Sequence, residues 1–405
     1  MKKSQNYNLR FCALQAAYWA AYCSVYAFWV NILTVNGYDS VLCGVVLTAA
    51  TVGSICVQFV LGYVADTYLP AKRMLLVLMG AAALVSIPMP LAMGKSAPVV
   101  VVSLVGMSLL DYSLYTSIDV WVVASMEKHP EVNFSFVRAG GSIGYAVTGA
   151  VLGAVVSRLG VNLLFWIHSA LLGISMLLCL SIEEVPCLNS RRVSRGGTGG
   201  LSLPGVIKLL LGNKPYMMLI LLVTLMQFSF RPTLSYLYLI LRQAGGGSFH
   251  LGAALLIGSG LEALALGVGH RLVSGGMRLR EILAIAMLAG TVRMFTLLIP
   301  MNVWAIIALQ IFEAMAYGCY LCVFTEYISK VTPRGVSATA TTIATAVTAA
   351  LGTVPGNLLG GVVIRDSGLP RMILICACGF ALALVLSLPG ALEDRRLRKT
   401  QPAED

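Results

Sequence analysis

The sequence predicts an all-α integral membrane protein with twelve transmembrane helices, arranged as two pseudo-symmetric six-helix bundles. Its composition, its apolar runs and one central polar stretch support this prediction. The chain has 405 residues, of which 58% are hydrophobic and 11% charged, whereas soluble domains carry about 25% charged residues. Too few polar side chains remain to cover a water-facing surface. The composition therefore excludes a soluble enzyme, a nucleic-acid-binding protein and a disordered chain.

Twelve apolar runs are long enough to cross a bilayer, which takes about 20 residues. Each is expected to be a helix, because no water satisfies backbone groups inside a membrane. The first run follows the basic start Met1-Lys2-Lys3 and is too long for a cleaved signal. We number the predicted spans 1 to 12 in chain order: 10–33, 41–65, 74–94, 98–125, 138–158, 161–182, 215–241, 250–272, 280–300, 302–329, 336–363 and 369–391.

Lys and Arg set the expected orientation, because they concentrate on cytoplasmic loops. With the N-terminus inside, 20 of the 28 Lys and Arg residues fall on inside segments, five fall outside and three lie within spans. The net charge of +11 is therefore assigned to the cytoplasmic side and not to a nucleic-acid partner. Both termini are expected in the cytoplasm of a multi-pass protein of the cell (inner) membrane.

The longest polar stretch, about 183–214, divides the chain into six spans and six spans. It contains Arg191, Arg192 and Arg195 followed by Gly and Ser, a composition typical of a flexible linker. The expected domains are an N-terminal bundle at 1–182, a cytoplasmic linker at 183–214, a C-terminal bundle at 215–391 and a cytoplasmic tail at 392–405.

Glycines recur on span 5 and on span 11, its counterpart in the second half. They are Gly140, Gly141, Gly144, Gly149 and Gly153 on span 5, and Gly352, Gly356, Gly360 and Gly361 on span 11. Close helix packing explains such glycines, and their recurrence at matching positions indicates an internal repeat. Two six-helix repeats around a midplane site are the layout of a rocking transporter.

Seven charged residues of the spans are singled out, five well inside a span and two, Asp119 and Arg138, in its cytoplasmic third; a charge at the bilayer centre costs at least ~2.5–3.5 kcal/mol. They are Asp111, Asp119, Arg138, Arg231, Glu262, Arg293 and Glu313. Their split between the halves favours a functional pathway over structural ion pairs. Arg231 either clamps an anionic group of the substrate or satisfies a neighbouring acid. His168 is interpreted as a hydrogen-bonded packing residue, and the stripe of Tyr18, Tyr22, Tyr26 and Trp29 as either packing or a cavity-lining face.

The segment after span 2 reads Gly62-Tyr63-Val64-Ala65-Asp66 and is followed by Lys72-Arg73. It resembles the loop 2–3 signature of the major facilitator superfamily. The resemblance implies a gating role for Asp66, Lys72 and Arg73: the Asp pairs across the interface between the halves, and the basic residues lock a closed state.

Span 5 opens with Arg138-Ala139-Gly140-Gly141-Ser142-Ile143-Gly144-Tyr145. This stretch resembles the branch of the superfamily that contains lactose permease, nucleoside–proton symporters and phenylpropionate permease. The resemblance implies that Arg138 binds substrate hydroxyls, that Tyr145 stacks on the substrate, and that Asp119 is a partner carboxylate.

The second half resembles the same branch at Glu262, Arg293 and Glu313 on spans 8, 9 and 10. There the branch has a Glu-Arg-His set for substrate and proton, and Glu313 stands in place of the His. The resemblance implies that Glu313 carries the proton with Arg293 as its partner, while Glu262 holds substrate or competes as the proton site. The acidic residue and the lysine of lactose permease read here as Ala316 and Ala349, so its full mechanism does not carry over.

These features predict a secondary active transporter that imports a small polar organic solute together with protons by alternating access, with its site between the halves. A sugar, a nucleoside and an aromatic acid remain open as substrates. The alternatives are a drug or metabolite efflux antiporter and a non-transporting membrane receptor. Span 5 has no proline between Arg138 and Arg158, and the tail after Pro389 is short; these features disfavour the antiporter and the receptor respectively.

Neither catalysis nor a cofactor is expected. The four histidines are scattered, and no set of Cys and His has the spacing of metal ligands. The expected partners are the solute, protons and the lipid bilayer, and the chain is expected to act as a monomer.

Overall fold

The structure is a computed structural model that describes residues 6–67, 71–184, 203–333 and 335–400. Every predicted span is helical in it, and the all-α fold is confirmed. Spans 1 to 6 are formed by the helices Tyr7–Tyr26 with Trp29–Val35, Ser40–Thr67, Ala71–Ser86 with Met89–Ala92, Ala97–Lys128, Phe134–Leu159 and Leu163–Leu180. Spans 7 to 12 are formed by Lys214–Ser235 with Leu237–Gln243, Ser248–Ser274, Leu279–Thr296, Val303–Ala308 with Gln310–Val331, Ser337–Thr348 with Val354–Ser367, and Leu369–Thr400.

Within the described ranges, nine helices are long and apolar enough to cross a membrane. The helices of spans 1, 3 and 9 are not among them. The main helix of span 3 has 16 residues, and that of span 9 carries three charged residues, Arg280, Glu281 and Arg293. Polar and tyrosine side chains dilute the first helix. All three still match predicted spans, so the twelve-span arrangement fits the structure.

Several spans predicted as continuous are interrupted. Span 1 breaks after Tyr26, and span 7 breaks at Tyr236, which follows the intrahelical Pro232. Span 11 contains a π-helical stretch, Ala349–Thr353, between its two α-helices. A proline removes one backbone donor, and a π-bulge inserts one extra residue per turn. Spans 1 and 7 occupy the same position in the two halves, so their breaks repeat along with the glycines.

Helices extend into both predicted polar segments. The predicted flexible linker 183–214 contains a helix, Leu203–Gly212, because Val206 and Leu210, four residues apart, bury one apolar face. The helix of span 12 continues to Thr400, into the predicted tail 392–405. Residues 185–202 and 401–405 lie outside the described part of the chain.

The chain divides into two compact units. The first unit comprises Met1–Ser190 with Gly246–Gly260, and the second comprises Arg191–Gly245 with Leu261–Asp405. Span 8 is therefore shared, with its first half in the first unit. Large apolar side chains such as Leu84, Leu91 and Val102 are 69%, 76% and 73% exposed, as expected for side chains that face lipid.

In the first unit, span 5 packs on span 1 through its glycines. A Cβ placed on Gly144 would meet the backbone of Ala16, lying 2.8 Å from its Cα. Farther along, a Cβ on Gly153 would lie 2.7 Å from the Cα of Gly252 on span 8. The predicted packing role of these glycines is thus confirmed. Span 5 then ends at Gly160, whose φ of 86° favours glycine.

The second unit repeats this arrangement with span 11 on span 7. A Cβ on Gly352 would lie 2.7 Å from the carbonyl oxygen of Thr224, and one on Gly356 would lie 2.7 Å from that of Phe228. Span 11 ends at Gly368 with φ 85°, as span 5 ends at Gly160. The internal repeat predicted from the glycines therefore extends to backbone packing and helix termination.

Candidate functional site

Arg138, at the start of span 5, lies over an aromatic ring that the sequence did not single out. Its guanidinium carbon is 4.5 Å from the ring centroid of Trp19 on span 1, a cation–π geometry. A Cβ on Gly141 would lie 2.5 Å from Cδ1 of the same indole, so the ring fits only because this position is glycine. Tyr145 lies on the same side, with its ring centroid 6.2 Å from Trp19. The structure thus brings Arg138 and Tyr145 together around Trp19.

Asp119 is linked to the same indole by hydrogen bonds. The side-chain amide of Gln15 donates to Asp119 Oδ1 at 2.6 Å, and Trp19 Nε1 donates to Gln15 Oε1 at 2.9 Å. Asp119 also interacts electrostatically with Arg138. Gln15 is fully buried, so this chain fixes the indole and the carboxylate relative to each other. A guanidinium, a carboxylate and two aromatic planes form a set that can hold hydroxyls on a ring-bearing solute.

The aromatic stripe on span 1 divides into two parts. Tyr18 and Trp29 are buried, whereas Tyr22 and Tyr26 are half-buried, as is Trp19 beside them. Tyr22 stacks on Tyr26 with a centroid distance of 4.4 Å and lies 5.3 Å from Trp19. Packing therefore accounts for the first pair, while the half-buried rings form a connected row beginning at Trp19.

Asp111 and His168 form a buried pair that the sequence interpretation missed. They are 1% and 0% exposed, with Asp111 Oδ2 3.4 Å from His168 Nε2. The predicted hydrogen bond of His168 is present, since its Nδ1 lies 2.7 Å from Ser86 Oγ, and the contact with Asp111 comes in addition to it. The available signal was an intramembrane acid and an intramembrane imidazole in one half, each of which needs a partner.

In the second unit, Arg293 on span 9 is 1% exposed and held mainly by neutral groups. Its Nη2 donates to Gln310 Oε1 at 3.1 Å and its Nη1 to Thr233 Oγ1 at 3.4 Å, while Nε has no hydrogen-bond partner among the described residues. Glu313, on span 10, is 8% exposed and interacts electrostatically with Arg293. These two described side chains are not in direct ion contact. Arg293 and Glu313, the pair expected from the sequence, therefore lie near each other without forming an ion pair.

Arg231 and Glu262 belong to the same electrostatic cluster, since both interact with Glu313. Arg231 Nε donates to Gln227 Oε1 at 3.3 Å, and its guanidinium carbon lies 5.8 Å from the ring centroid of Tyr317. Tyr317 was not singled out by the sequence interpretation. Arg231, Glu262, Arg293 and Glu313 thus lie in one unit, and a solute group entering there meets charges of both signs.

Two of the predicted gating residues, Lys72 and Arg73, contact the end of span 6. Lys72 Nζ donates to the carbonyl oxygens of Leu180 at 3.2 Å and Ile182 at 2.6 Å, where it satisfies acceptors left open at a helix end. Arg73 Nε lies 3.3 Å from Glu184 Oε1. The side chain of Asp66 lies outside the described residues, although its backbone belongs to the helix of span 2.

Similar contacts hold the last helix of the second unit, and the sequence interpretation did not predict them. We call the contacts of Arg280 with Asp394 and Glu393 the Asp394 clamp. Arg280, at the start of span 9, donates to both carboxylate oxygens of Asp394 at 3.0 and 2.6 Å, and Arg280 Nη1 donates to Glu393 Oε2 at 3.0 Å. Span 3 thus holds the end of span 6 as span 9 holds the end of span 12. Asp394 is 5% exposed, which explains why the last helix continues beyond the apolar run.

Most of the chain is similar to known membrane transporters in sequence or in fold. It is 23% identical to the maltose permease of Geobacillus stearothermophilus over 233 residues, 58% of this chain and 57% of the permease, so the match spans little more than half of that relative. The nucleoside transporter NupG has a TM-score of 0.76 at 15% identity over 96% of this chain and 99% of its own. A peptide transporter POT with alafosfalin has a TM-score of 0.69 at 12% identity over 98% and 95%. At these low identities, the TM-scores of the two solved structures show that they share the fold of this chain.

A family model covers far more than half of the sequence. The MFS_1 like family matches residues 13–374, from span 1 into span 12, and thus includes every cluster described above except the Asp394 clamp. The motifs of spans 2, 5, 8, 9 and 10, the repeated six-span halves and the fold agree with this match. The chain therefore belongs to the MFS_1 like family.

Proposed function

We propose that this protein is a proton-coupled symporter that takes up a small, hydroxyl-rich or aromatic organic solute by alternating access. The observation that carries the proposal is the membrane-embedded cluster in the second unit. Arg293 is fully enclosed, its Nε has no partner among the described residues, and Glu313 lies near it without direct ion contact. A buried carboxyl next to an arginine changes its charge when their separation changes, as proton coupling requires.

The first unit supports the solute class. Arg138 provides a planar fork of donors, Trp19 and Tyr145 provide aromatic planes, and Asp119 provides an acceptor. Sugars, nucleosides and aromatic acids each match part of this set. The names of the relatives, a maltose permease and a nucleoside transporter, favour the first two. That they are transporters also supports a non-enzymatic role.

Glu313 is the proposed proton carrier, Arg293 its partner and Glu262 the substrate ligand or competing proton site. Arg231, which lies over Tyr317, is proposed to contact the solute. Glu313→Gln removes the titratable group and keeps the shape of the side chain. In proteoliposomes the variant should exchange labelled maltose, uridine or phenylpropionate down a gradient. It should fail to accumulate that solute when a proton gradient is imposed.

Glu326→Gln is the matched control, because Glu326 is on the same span but pairs with Lys330 at 2.8 Å and is partly exposed. It should accumulate solute as the wild type does. If Glu313→Gln accumulates solute normally and Glu262→Gln does not, Glu262 is the proton carrier and Glu313 the substrate ligand. Normal accumulation by both would contradict symport and favour a uniporter, and accumulation driven by the opposite gradient would favour an antiporter.

The proposed setting is the cell (inner) membrane, with both termini and the 183–214 segment in the cytoplasm and the monomer as the transporting unit. The distribution of Lys and Arg supports this orientation. A cysteine introduced at Arg192 should react with an impermeant maleimide only after cells are permeabilised. Labelling in intact cells would invert the topology.

A further inference from the structure

The buried pair Asp111 and His168 has no part in the mechanism proposed above. Asp111 comes from span 4 and His168 from span 6, and both are enclosed within the first unit. Asp111 Oδ2 accepts a hydrogen bond from the hydroxyl of Tyr26 and lies 3.4 Å from His168 Nε2. Among the described residues, neither Asp111 Oδ1 nor His168 Nε2 has a hydrogen-bond partner, and both atoms are buried. Two such atoms on facing ionisable groups indicate a site whose proton content is not fixed by its surroundings.

The surroundings of the pair accommodate two proton counts. With a doubly protonated ring, His168 Nδ1 donates to Ser86 Oγ at 2.7 Å, and Ser86 in turn donates to Met107 Sδ at 3.4 Å. With a neutral ring protonated on Nε2, the Ser86 hydroxyl turns and donates to Nδ1. Only hydroxyl rotation separates the two arrangements. Tyr26 donates to Asp111 in both, so neither form needs a backbone change.

The charge balance gives both forms a reason to exist. With a neutral imidazole, the pair leaves one carboxylate charge inside the bundle, which is costly in a membrane. Uptake of one proton from water at the ring makes an imidazolium–carboxylate pair with no net charge, and release returns the proton to water. Among described residues, no Lys or Arg lies within ion-pair distance of Asp111. Within that part of the chain, the cation available to it is therefore the proton bound by His168.

The other titratable groups around the pair are tyrosines and one distant acid. Span 1 contributes Tyr18, whose hydroxyl donates to the backbone oxygen of Asp111 at 2.8 Å, and Tyr26. Span 4 itself contributes Tyr112, whose ring centroid is 5.5 Å from that of Tyr26, and Asp119 two turns away. Span 3 contributes the neutral Ser86. Among the described residues, His168 is therefore the nitrogen base that faces Asp111.

Tyr26 joins this pair to the aromatic row that ends at Arg138. It stacks on Tyr22, which contacts Trp19, and Trp19 lies under the guanidinium. The Asp111 carboxylate accepts a stronger hydrogen bond from the Tyr26 hydroxyl when His168 is neutral than when an imidazolium balances its charge. A solute that reorders the rings at Trp19 thus competes with that hydrogen bond.

We propose that Asp111 and His168 form a proton-binding site in the first unit, and that its occupancy is linked through Tyr26 to the arrangement of the rings around Trp19. Its consequence for solute binding rests on the function proposed above. Proton binding weakens the hydrogen bond from Tyr26 to Asp111 and so lets the rings rearrange more easily, which favours solute binding. By reciprocity, solute binding favours the proton.

The first test measures the proton on His168 directly. The chain has four histidines, so Gln at positions 129, 250 and 270 leaves His168 alone. Its nitrogen-15 spectrum in nanodiscs should convert reversibly between the signals of the neutral and the doubly protonated ring as the pH is cycled. Asp111→Asn in this background should remove the doubly protonated form. A ring that keeps one form throughout, or that converts equally with Asn at position 111, overturns the proposal.

The second test measures the link with the full set of histidines present. Tryptophan emission of the wild type should change over the same pH range. The change should be lost in His168→Gln and in Trp19→Phe, and kept in His270→Gln, the same substitution at an exposed position. A full change in His168→Gln refutes the link. Neither test uses a solute or a proton gradient, so failure here leaves the Glu313→Gln result standing, and failure of symport leaves this site standing.

Discussion

Substitution of Gly144 by alanine tests whether the contact between spans 1 and 5 is as tight as the structure indicates. The new methyl group would overlap the backbone of Ala16, with its carbon 2.8 Å from Cα and 2.9 Å from the carbonyl carbon. Ordinary contacts of this kind are 3.4 Å or longer. Backbone cannot rotate away as a side chain can, so the helices must separate. Overpacking of this kind costs about 1–3 kcal/mol.

Gly173→Ala is the matched control. Gly173 lies within the helix of span 6, and a Cβ placed there meets no described atom within 4 Å. Both substitutions gain the same helix propensity, roughly 0.4–1 kcal/mol, so their difference isolates the packing cost. Gly173→Ala should raise the melting temperature of the purified protein slightly, and Gly144→Ala should lower it.

The same displacement should reach the candidate site, because Ala16 and Trp19 are one turn apart on span 1. Separation of the helices moves Trp19 from the Arg138 guanidinium, now 4.5 Å above the ring. Gly144→Ala should therefore weaken solute binding as well as stability, while Gly173→Ala leaves binding unchanged. A Gly144→Ala protein at least as stable as Gly173→Ala would refute the close contact and the reasoning built on it.

Four further outcomes are expected. Arg138→Lys should abolish binding of whichever of maltose, uridine and phenylpropionate the wild type binds in a calorimetric titration, because a point charge does not replace the planar fork; wild-type affinity in this variant would exclude Arg138 from the site. Asp394→Asn should lower stability in thermal unfolding by roughly 1–2 kcal/mol, whereas Asp366→Asn, which breaks an exposed pair, should leave the melting temperature unchanged. A hydrogen bond from Lys128 lowers the pKa of Glu183. The ionised Glu183 therefore stabilises the fold above the ordinary carboxyl pKa, and this stabilisation is lost as the pH falls through the lowered pKa. Glu183→Gln should remove that part of the acid dependence of melting, and an unchanged profile would contradict it. Asp66→Asn should slow transport with little change in affinity; a selective loss of affinity would refute a gating role.

The sequence by itself determined the membrane class, the helical segments and the internal repeat. A bilayer offers no backbone hydrogen bonds, so apolar runs of sufficient length have one solution, and the twelve predicted spans all became helices. Glycines at matching positions predicted close packing, and the structure has span 5 on span 1 and span 11 on span 7. The motif at Arg138, which places an arginine within a span, also resembled the superfamily to which the family model assigns the chain.

Only the tertiary structure decided which polar groups meet. Trp19 lies outside the aromatic stripe that the sequence singled out, and its significance comes from Arg138 and Gly141 on another helix. His168 looked isolated until Asp111 and Ser86 were found beside it. The clamp of Arg280 on Asp394 joins residues 114 positions apart, and it accounts for a final helix that outlasts its apolar run. The hydropathy of one segment is enough to predict a membrane helix. A buried charge needs partners from several helices, and those partners are brought together only when the helices pack.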